Sequence, residues 1–449
     1  MKNETPKILI YSRRGIELWS STLCDYLTKN GFSVYTFSEL RNISDITLAD
    51  NFYKYYSSNT EKSKFSAIEI IEIVKRCRLL RSLPIVNAKI YINSMSLALD
   101  YLIDNHNPNF IIGLRVDSYV LDLLERKCQL LGIKYVGIWK SAFIKNYSFI
   151  TSRGELNFLG FQDNKVLNKA KILDKTFKAT SISNNYEFSI YQNLKIKIYY
   201  IFRSYFHFFY RYAISDKLGY RYLTNGIHVP EYRLNLFELN YNKFIKNDWN
   251  SYLNNNLITK NIFIALQVNP ESTIDYYVKD LGLIEYEKVI IKILNNFSKS
   301  DYRIFIKDHP NMFGRRNFSF LNKISSYDNV RFLPYHIDST YLLDRVFITF
   351  TWSGTVSVQA ALNNKISIVV NPPYFVENLF LQIHSIQDID NIINKINNFK
   401  FPSNLESRQD ELITLINSSL LKGELNFRNI DKNLYQSILE LIIKLNSHL

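Results

Sequence analysis

The chain has 449 residues, 47% apolar and 21% charged, with a formal net charge of +14. That length is too great for one comfortable core and predicts two or three domains, while the composition excludes a disordered or collagen-like chain. The positive balance predicts anionic partners; with no zinc-type Cys/His spacing and no Arg-rich helix, nucleic acid is set aside in favour of anionic lipid or a nucleotide-linked ligand.

The first six residues are polar and run straight into a strand at 7–12, so no signal peptide is expected. A helix over 16–30 ends at Asn30-Gly31, and a second strand follows at 33–37. Strands at 109–114 and 134–138 bracket a helix over 117–131. These β-α-β units predict a Rossmann-like domain over 1–175. The region 176–256 holds few strand-like runs, and its aromatic-basic stretch at 193–223 reads as a buried or interdomain helical segment or as an interfacial helix. A second α/β domain over 257–425 is expected from strands at 261–266, 302–306, 330–333, 345–350 and 366–370 and a helix at 280–298. The tail, 405–447, reads as helices, the last forming a separate element at 426–449. The fold class is therefore α/β, two Rossmann-like domains facing a cleft with a helical insert between them.

Cys24, Cys77 and Cys128 are too scattered for a disulfide framework, which predicts a reducing compartment. No uncharged apolar run reaches the ~18 residues that a membrane span needs. The expected location is cytoplasmic, with peripheral association at an anionic inner-membrane surface as the furthest extension.

Two turns carry the most chemistry. Lys307-Asp308-His309-Pro310 follows one expected strand, and Thr351-Trp352-Ser353-Gly354-Thr355 follows another. Turns at the carboxyl ends of strands in one α/β unit converge on the crevice where open sheets bind ligands. Lys307 and His309 leave the strand end on one face as a candidate phosphate clamp, with Pro310 fixing the turn. Ser353, Gly354 and Thr355 open a helix whose N–H groups serve either a cap or an anion. A third polar loop, Gln267-Val268-Asn269-Pro270-Glu271-Ser272-Thr273, offers Gln267, Glu271, Ser272 and Thr273 as ligand contacts or as a turn capping the next helix. In the first half, Glu155 of Thr151-Ser152-Arg153-Gly154-Glu155 and Glu17 beside Arg13-Arg14-Gly15 are candidate general bases, or plain surface carboxylates.

Three of these stretches resemble blocks of the capsule polysaccharide biosynthesis family, whose characterised members include Kdo transferases with a GT-B-like fold that use CMP-activated sugar. They are 265–273; Lys307-Asp308-His309-Pro310 with Met312-Phe313-Gly314 and Asn329-Val330-Arg331-Phe332; and Phe350-Thr351-Trp352-Ser353-Gly354-Thr355-Val356, continuing to Ala360 and to 368–374. The resemblance covers mainly 261–376, with a weaker echo at Arg153-Gly154-Glu155. Two positions depart from it: Asp308 stands in place of Glu, a mild change, and Gln359 stands where the family usually has Glu, so a hydrogen-bonding side chain remains but its charge is lost.

The resemblance implies a glycosyltransferase of capsule or surface-polysaccharide synthesis. The second domain would bind an activated nucleotide sugar, a CMP-sugar such as CMP-Kdo, with Gln359 near its hydroxyls. Lys307 and His309 would stabilise the departing phosphate, and a first-domain carboxylate would activate a glycan or lipid-linked acceptor. No cofactor is implied, and no Asp-x-Asp turn between strand ends suggests a metal. Two alternatives stay open: a CDP-alcohol phosphotransferase of the teichoic-acid type, and a degenerate nucleotide-binding partner subunit, the latter motivated by Gln359.

Overall fold

The computed structural model describes residues 5–58, 65–141, 146–153, 241–254, 258–269, 271–309, 316–335, 337–370, 379–401 and 404–446, with 198, 202, 218 and 312 singly. The region 193–223 therefore lies almost wholly outside the described residues, and so do Glu155, Pro310 and the stretch 371–378. The chain divides into two α/β units. Among the described residues the first takes 5–153, Leu218 and 415–446, and the second takes 241–414 with 198 and 202.

The strands in chain order are β1 (Lys7–Tyr11), β2 (Ser33–Ser38), β3 (Ile46–Thr47), β4 (Phe110–Leu114), β5 (Lys134–Lys140) and β6 (Tyr147–Ile150). They continue as β7 (Asn261–Ala265), β8 (Arg303–Lys307), β9 (Val330–Phe332), β10 (Ile348–Thr351), β11 (Ile366–Val369), β12 (Leu381–Gln382) and β13 (Leu420–Lys422). The first sheet has the order β13-β6-β5-β4-β1-β2-β3, parallel from β5 to β3 and antiparallel at β6 and β13. The second has the order β12-β11-β10-β7-β8-β9 and is parallel throughout. In each sheet the chain builds outward on one side and then returns to the other. The order reverses between β1 and β4 in the first unit and between β7 and β10 in the second, and such reversals mark where open α/β sheets hold ligands.

The sequence explains the sheets. Every residue of β4, β10 and β11 is buried, as expected of strands covered on both faces. In the second unit Ile262, Ile264, Ile304, Ile306, Ile348 and Phe350 share a core with Val289, Ile290, Ile293 and Leu294 of the helix Tyr286–Phe297. Phe263 and Phe305, one residue out of step, join Leu253, Leu333, Leu342 and Val346 in a separate core. That alternation is the two-residue period of a pleated strand, and each fully buried side chain of this size contributes about 1.5–3 kcal/mol.

Three expectations need correction. The helix expected over 280–298 begins only at Tyr286, because the Asp280 carboxylate accepts the Gly282 N–H at 2.8 Å and closes a 3-10 turn first. The strand expected from 345 begins at Ile348, since the Arg345 N–H bonds Leu342 O at 2.9 Å and completes the helix Ser339–Leu343. The tail is not all helical. Between the helices Leu405–Ser418 and Lys432–Asn446, β13 pairs antiparallel with β6. The chain thus belongs to the first unit from Leu415, where the sequence reading continued the second domain to 425. Among the described residues no helix is long and apolar enough to cross a membrane.

Gly423 makes that return tight. It has φ +104°, and an added Cβ would lie 2.2 Å from Leu434 N. Gly423→Ala is therefore expected to destabilise the first unit by more than about 1 kcal/mol, measured by chemical denaturation. An unchanged midpoint would mean that the turn relaxes freely.

Candidate functional site

The loops after β7, β8 and β10 lie at the carboxyl edge of the second sheet, and those after β7 and β10 flank its reversal point. Asp308 ties the first two together. It is 1% exposed, and its Oδ1 accepts from Arg316 Nη2 at 2.6 Å and from the His309 N–H at 2.7 Å. Its Oδ2 accepts from Tyr335 Oη at 3.2 Å, and its own N–H donates to Tyr241 Oη at 3.4 Å. Arg316 Nη2 also donates to Gln267 O at 2.7 Å, so one guanidinium spans the loops after β7 and β8. Burial opposes the charge on Arg316, but the adjoining Asp308 carboxylate outweighs it and the pKa is raised.

The loop after β7 is ordered from within. Gln267 Nε2 donates to Glu271 Oε2 at 2.5 Å and Thr273 Oγ1 donates to the same oxygen at 3.1 Å. Ser272 and Thr273 are buried at the start of the short helix Ser272–Asp275. The Gln267 N–H donates to Tyr286 Oη at 2.8 Å, and the Tyr286 ring packs on Trp352 with centroids 4.9 Å apart. Through Tyr286 the loop after β10 joins the other two.

His309 is partly buried, and desolvation lowers its pKa, opposed by the nearby charges of Glu271 and Asp308. Its imidazole is therefore largely neutral at pH 7 and acts as a hydrogen-bonding group more than as a cation. Lys307 Nζ donates to Ile337 O at 2.5 Å, on the β9 side away from the reversal point, and burial lowers its pKa against the pull of Asp338. One of the three N–H groups of the Lys307 ammonium is engaged by that carbonyl. Gly354 caps the helix Thr355–Leu362 in an extended conformation with no side-chain cap, while its own N–H donates to Thr351 Oγ1 at 3.3 Å. Ser353 and Thr355 are partly exposed beside it, and Gln359 lies half-buried one turn further along. The Asp388-Ile389-Asp390 triplet is structural: Asp388 caps a 3-10 turn and pairs with Lys395 at 2.7 Å, and Asp390 pairs with Lys292 at 2.9 Å. Among the described residues no cluster of His, Cys, Asp and Glu has the makings of a metal site.

In the first unit Arg13 and Asp117 form a two-bond ion pair at 3.0 and 2.9 Å between the loops after β1 and β4, at the reversal point of that sheet. Glu17 is partly exposed, and its Oε2 accepts the Gly15 N–H at 2.5 Å. Arg153 pairs with Asp122 and, at 2.8 Å, with Glu125 of the helix Tyr119–Leu131, so this half of the Arg-Gly-Glu echo serves a buried ion network. Sequence reasoning missed Glu39. It follows β2, is fully buried, and accepts the Tyr11 hydroxyl at 2.9 Å on one oxygen while the other has no partner. Burial raises its pKa to about 7. Arg316, Tyr286 and Tyr335 were missed as well. The only signal for Arg316 was a basic pair a few residues beyond the His-Pro turn, and for the tyrosines there was none.

No protein-family model matches the chain, and no curated protein matches it. Solved structures similar to it include the UDP-GlcNAc 2-epimerase of Neisseria meningitidis bound to UDP-GlcNAc, at 11% identity over 98% of this chain and 100% of that one, with a TM-score of 0.26. They also include two Kdo transferases, both KpsC of Thermosulfurimonas dismutans. The β-Kdo 2,4-transferase is 11% identical over 70% of this chain and 79% of its own, with a TM-score of 0.33. The β-Kdo 2,7-transferase is 8% identical over 98% and 99%, with a TM-score of 0.35. Likeness at this level carries no argument about activity, and the two-unit α/β architecture rests on the sheets described above.

Proposed function

We propose that the chain is a nucleotide-sugar-dependent glycosyltransferase of capsule or surface-polysaccharide synthesis, with its donor site in the second unit. The observation that supports this most is the network joining the loops after β7, β8 and β10 through Asp308, Arg316 and Tyr286 at the reversal point of the sheet. In this reading the nucleotide phosphate lies against the uncapped N-terminus of the helix Thr355–Leu362, with Ser353, Gly354 and Thr355 around it. His309 donates a hydrogen bond to the leaving phosphate, and Lys307 adds positive potential from behind. Glu271 and Gln359 accept from ribose or sugar hydroxyls. Glu17 and Glu155 remain the proposed bases that activate the acceptor hydroxyl, a glycan or a lipid-linked sugar. The sequence resemblance favours CMP as the nucleotide, and the net positive charge suits work beside an anionic membrane surface.

A thermal-shift screen against CMP, CDP, UDP and GDP tests the donor site, and a nucleotide at ~100 times its Kd is expected to stabilise the protein by ~2.7 kcal/mol. His309→Ala is expected to lower sugar transfer about 10²–10³-fold. No shift with any of the four nucleotides would remove the reading. Turnover unchanged in His309→Ala would remove His309 from the chemistry, nucleotide binding with no transfer at all would leave only the partner-subunit alternative, and transfer of an alcohol phosphate from a CDP-alcohol would establish the phosphotransferase.

A further inference from the structure

Among the described residues, three buried donors at this edge have no acceptor. Arg316 is 2% exposed, and while its Nη2 serves Asp308 and Gln267, its Nε and Nη1 have no hydrogen-bond partner. Trp352 is 1% exposed and its indole Nε1 is also unpaired. All three belong to side chains gathered around one ring. The Arg316 guanidinium carbon is 5.6 Å from the centroid of Tyr286, and the Trp352 ring is 4.9 Å from it. The donors also come from both sides of the reversal point, Trp352 directly after β10 and Arg316 clamped to the loop after β7. Unpaired buried donors are rare and costly in folded proteins, and N–H groups of a cation that lack an acceptor cost most.

The carboxylates nearby do not supply the missing acceptor. The Asp308 carboxylate already accepts from three donors, Arg316 Nη2, the His309 N–H and the Tyr335 hydroxyl, and Glu271 is held by Gln267 and Thr273. Donors are in excess at a place where partly exposed Gln267, Glu271, Ser353 and Gly354 open the edge to solvent.

We propose that Arg316 and Trp352 form an oxyanion subsite that takes a phosphate group, with one free N–H of Arg316, Nε or Nη1, and Trp352 Nε1 as the donors. This deepens the donor-site reading only in saying that the phosphate is carried by a nucleotide; the phosphate preference stands on the donors themselves. A guanidinium suits the role because it stays charged and still has N–H groups to give on either side of the Nη2 that serves Asp308 and Gln267. Asp308 holds the guanidinium in place through Nη2.

The test uses the full chain and isothermal titration calorimetry with inorganic pyrophosphate, CMP and cytidine. Two conservative variants isolate the donors. Trp352→Phe keeps an aromatic ring against Tyr286 but removes the N–H together with the pyrrole part of the indole, and Arg316→Lys keeps a cation beside Asp308 but removes the guanidinium. Trp352→Phe is expected to bind pyrophosphate about ten- to a hundredfold more weakly, and the cavity left by the smaller ring lowers its melting temperature. Circular dichroism at the titration temperature checks that the variant is folded, and a merely structural role would leave the pyrophosphate affinity of the folded variant unchanged. Arg316→Lys is expected to weaken pyrophosphate by a similar factor, and CMP is expected to bind where cytidine does not. The subsite is overturned if wild type does not bind pyrophosphate, or if both variants bind it within twofold of wild type. A wild type that binds CMP but fails either of those arms loses the subsite and keeps the nucleotide site. One that binds pyrophosphate through Arg316 and no nucleotide keeps the subsite and loses the transferase reading.

Discussion

Asp308→Ala is expected to lower the stability of the second unit by about 3–5 kcal/mol, because removing one member of a buried ion pair strands the other. Arg316, 2% exposed, would keep only the Gln267 carbonyl among its partners, and the His309 N–H and the Tyr335 hydroxyl would lose their acceptor. The effect is read by chemical denaturation. Pairing the change with Arg316→Met is expected to recover a large part of the loss, since an apolar pair of similar volume does not carry the desolvation cost of two ions. A single variant within about 1 kcal/mol of wild type would show that water enters and solvates Arg316. The same change should weaken any anion bound at Arg316, because Asp308 holds the guanidinium in place.

A second large effect is expected at Glu39, and its sign follows from linkage. Burial holds its carboxyl at about 7, above the ordinary value of 4.5. Between those two values the folded chain keeps a proton that the unfolded chain releases. The stability from this protonated carboxyl is therefore complete below the lower value and is lost as pH rises through the upper one. The shift corresponds to roughly 3 kcal/mol for a fully buried group. Glu39→Gln cannot ionise, so its stability should exceed wild type by up to roughly 3 kcal/mol at pH 8 and approach it near pH 5. Tyr11, Arg13 and Asp117, the other titratable groups acting on Glu39, are unchanged in that comparison. Denaturation midpoints of the two proteins at pH 5, 6.5 and 8 decide the matter. Parallel curves would show that the carboxyl is solvated and ordinary.

Much of the framework was legible along the chain. β1, β2, β4, β5, β7, β8, β9 and β11 lie within a residue or two of the expected strands, because strands buried on both faces must be continuous apolar runs. The three polar loops were legible for the same reason, since a polar turn directly after such a run marks the carboxyl edge of a sheet. β13 was not legible. Three residues between two helices carry no period, and only their pairing with β6 makes them a strand. The Lys307 contact was not legible either, because alternation along a strand says which face a side chain leaves by, but not that the carbonyl of Ile337 lies within its reach.

The order and spacing of strands, helices and turns sufficed to read two doubly wound α/β units and to point to Gln267, His309 and Ser353–Thr355 at the edge of the second, because hydrophobic periodicity and turn chemistry are local properties. Which buried charges meet is a long-range property. Arg316 reaches Asp308 and Gln267 together, Trp352 reaches the ring of Tyr286, and Glu39 is sealed against Tyr11 only once the sheets have formed. Those contacts determine the electrostatics of the site, since the worth of a charge depends on the burial and the partners that folding gives it.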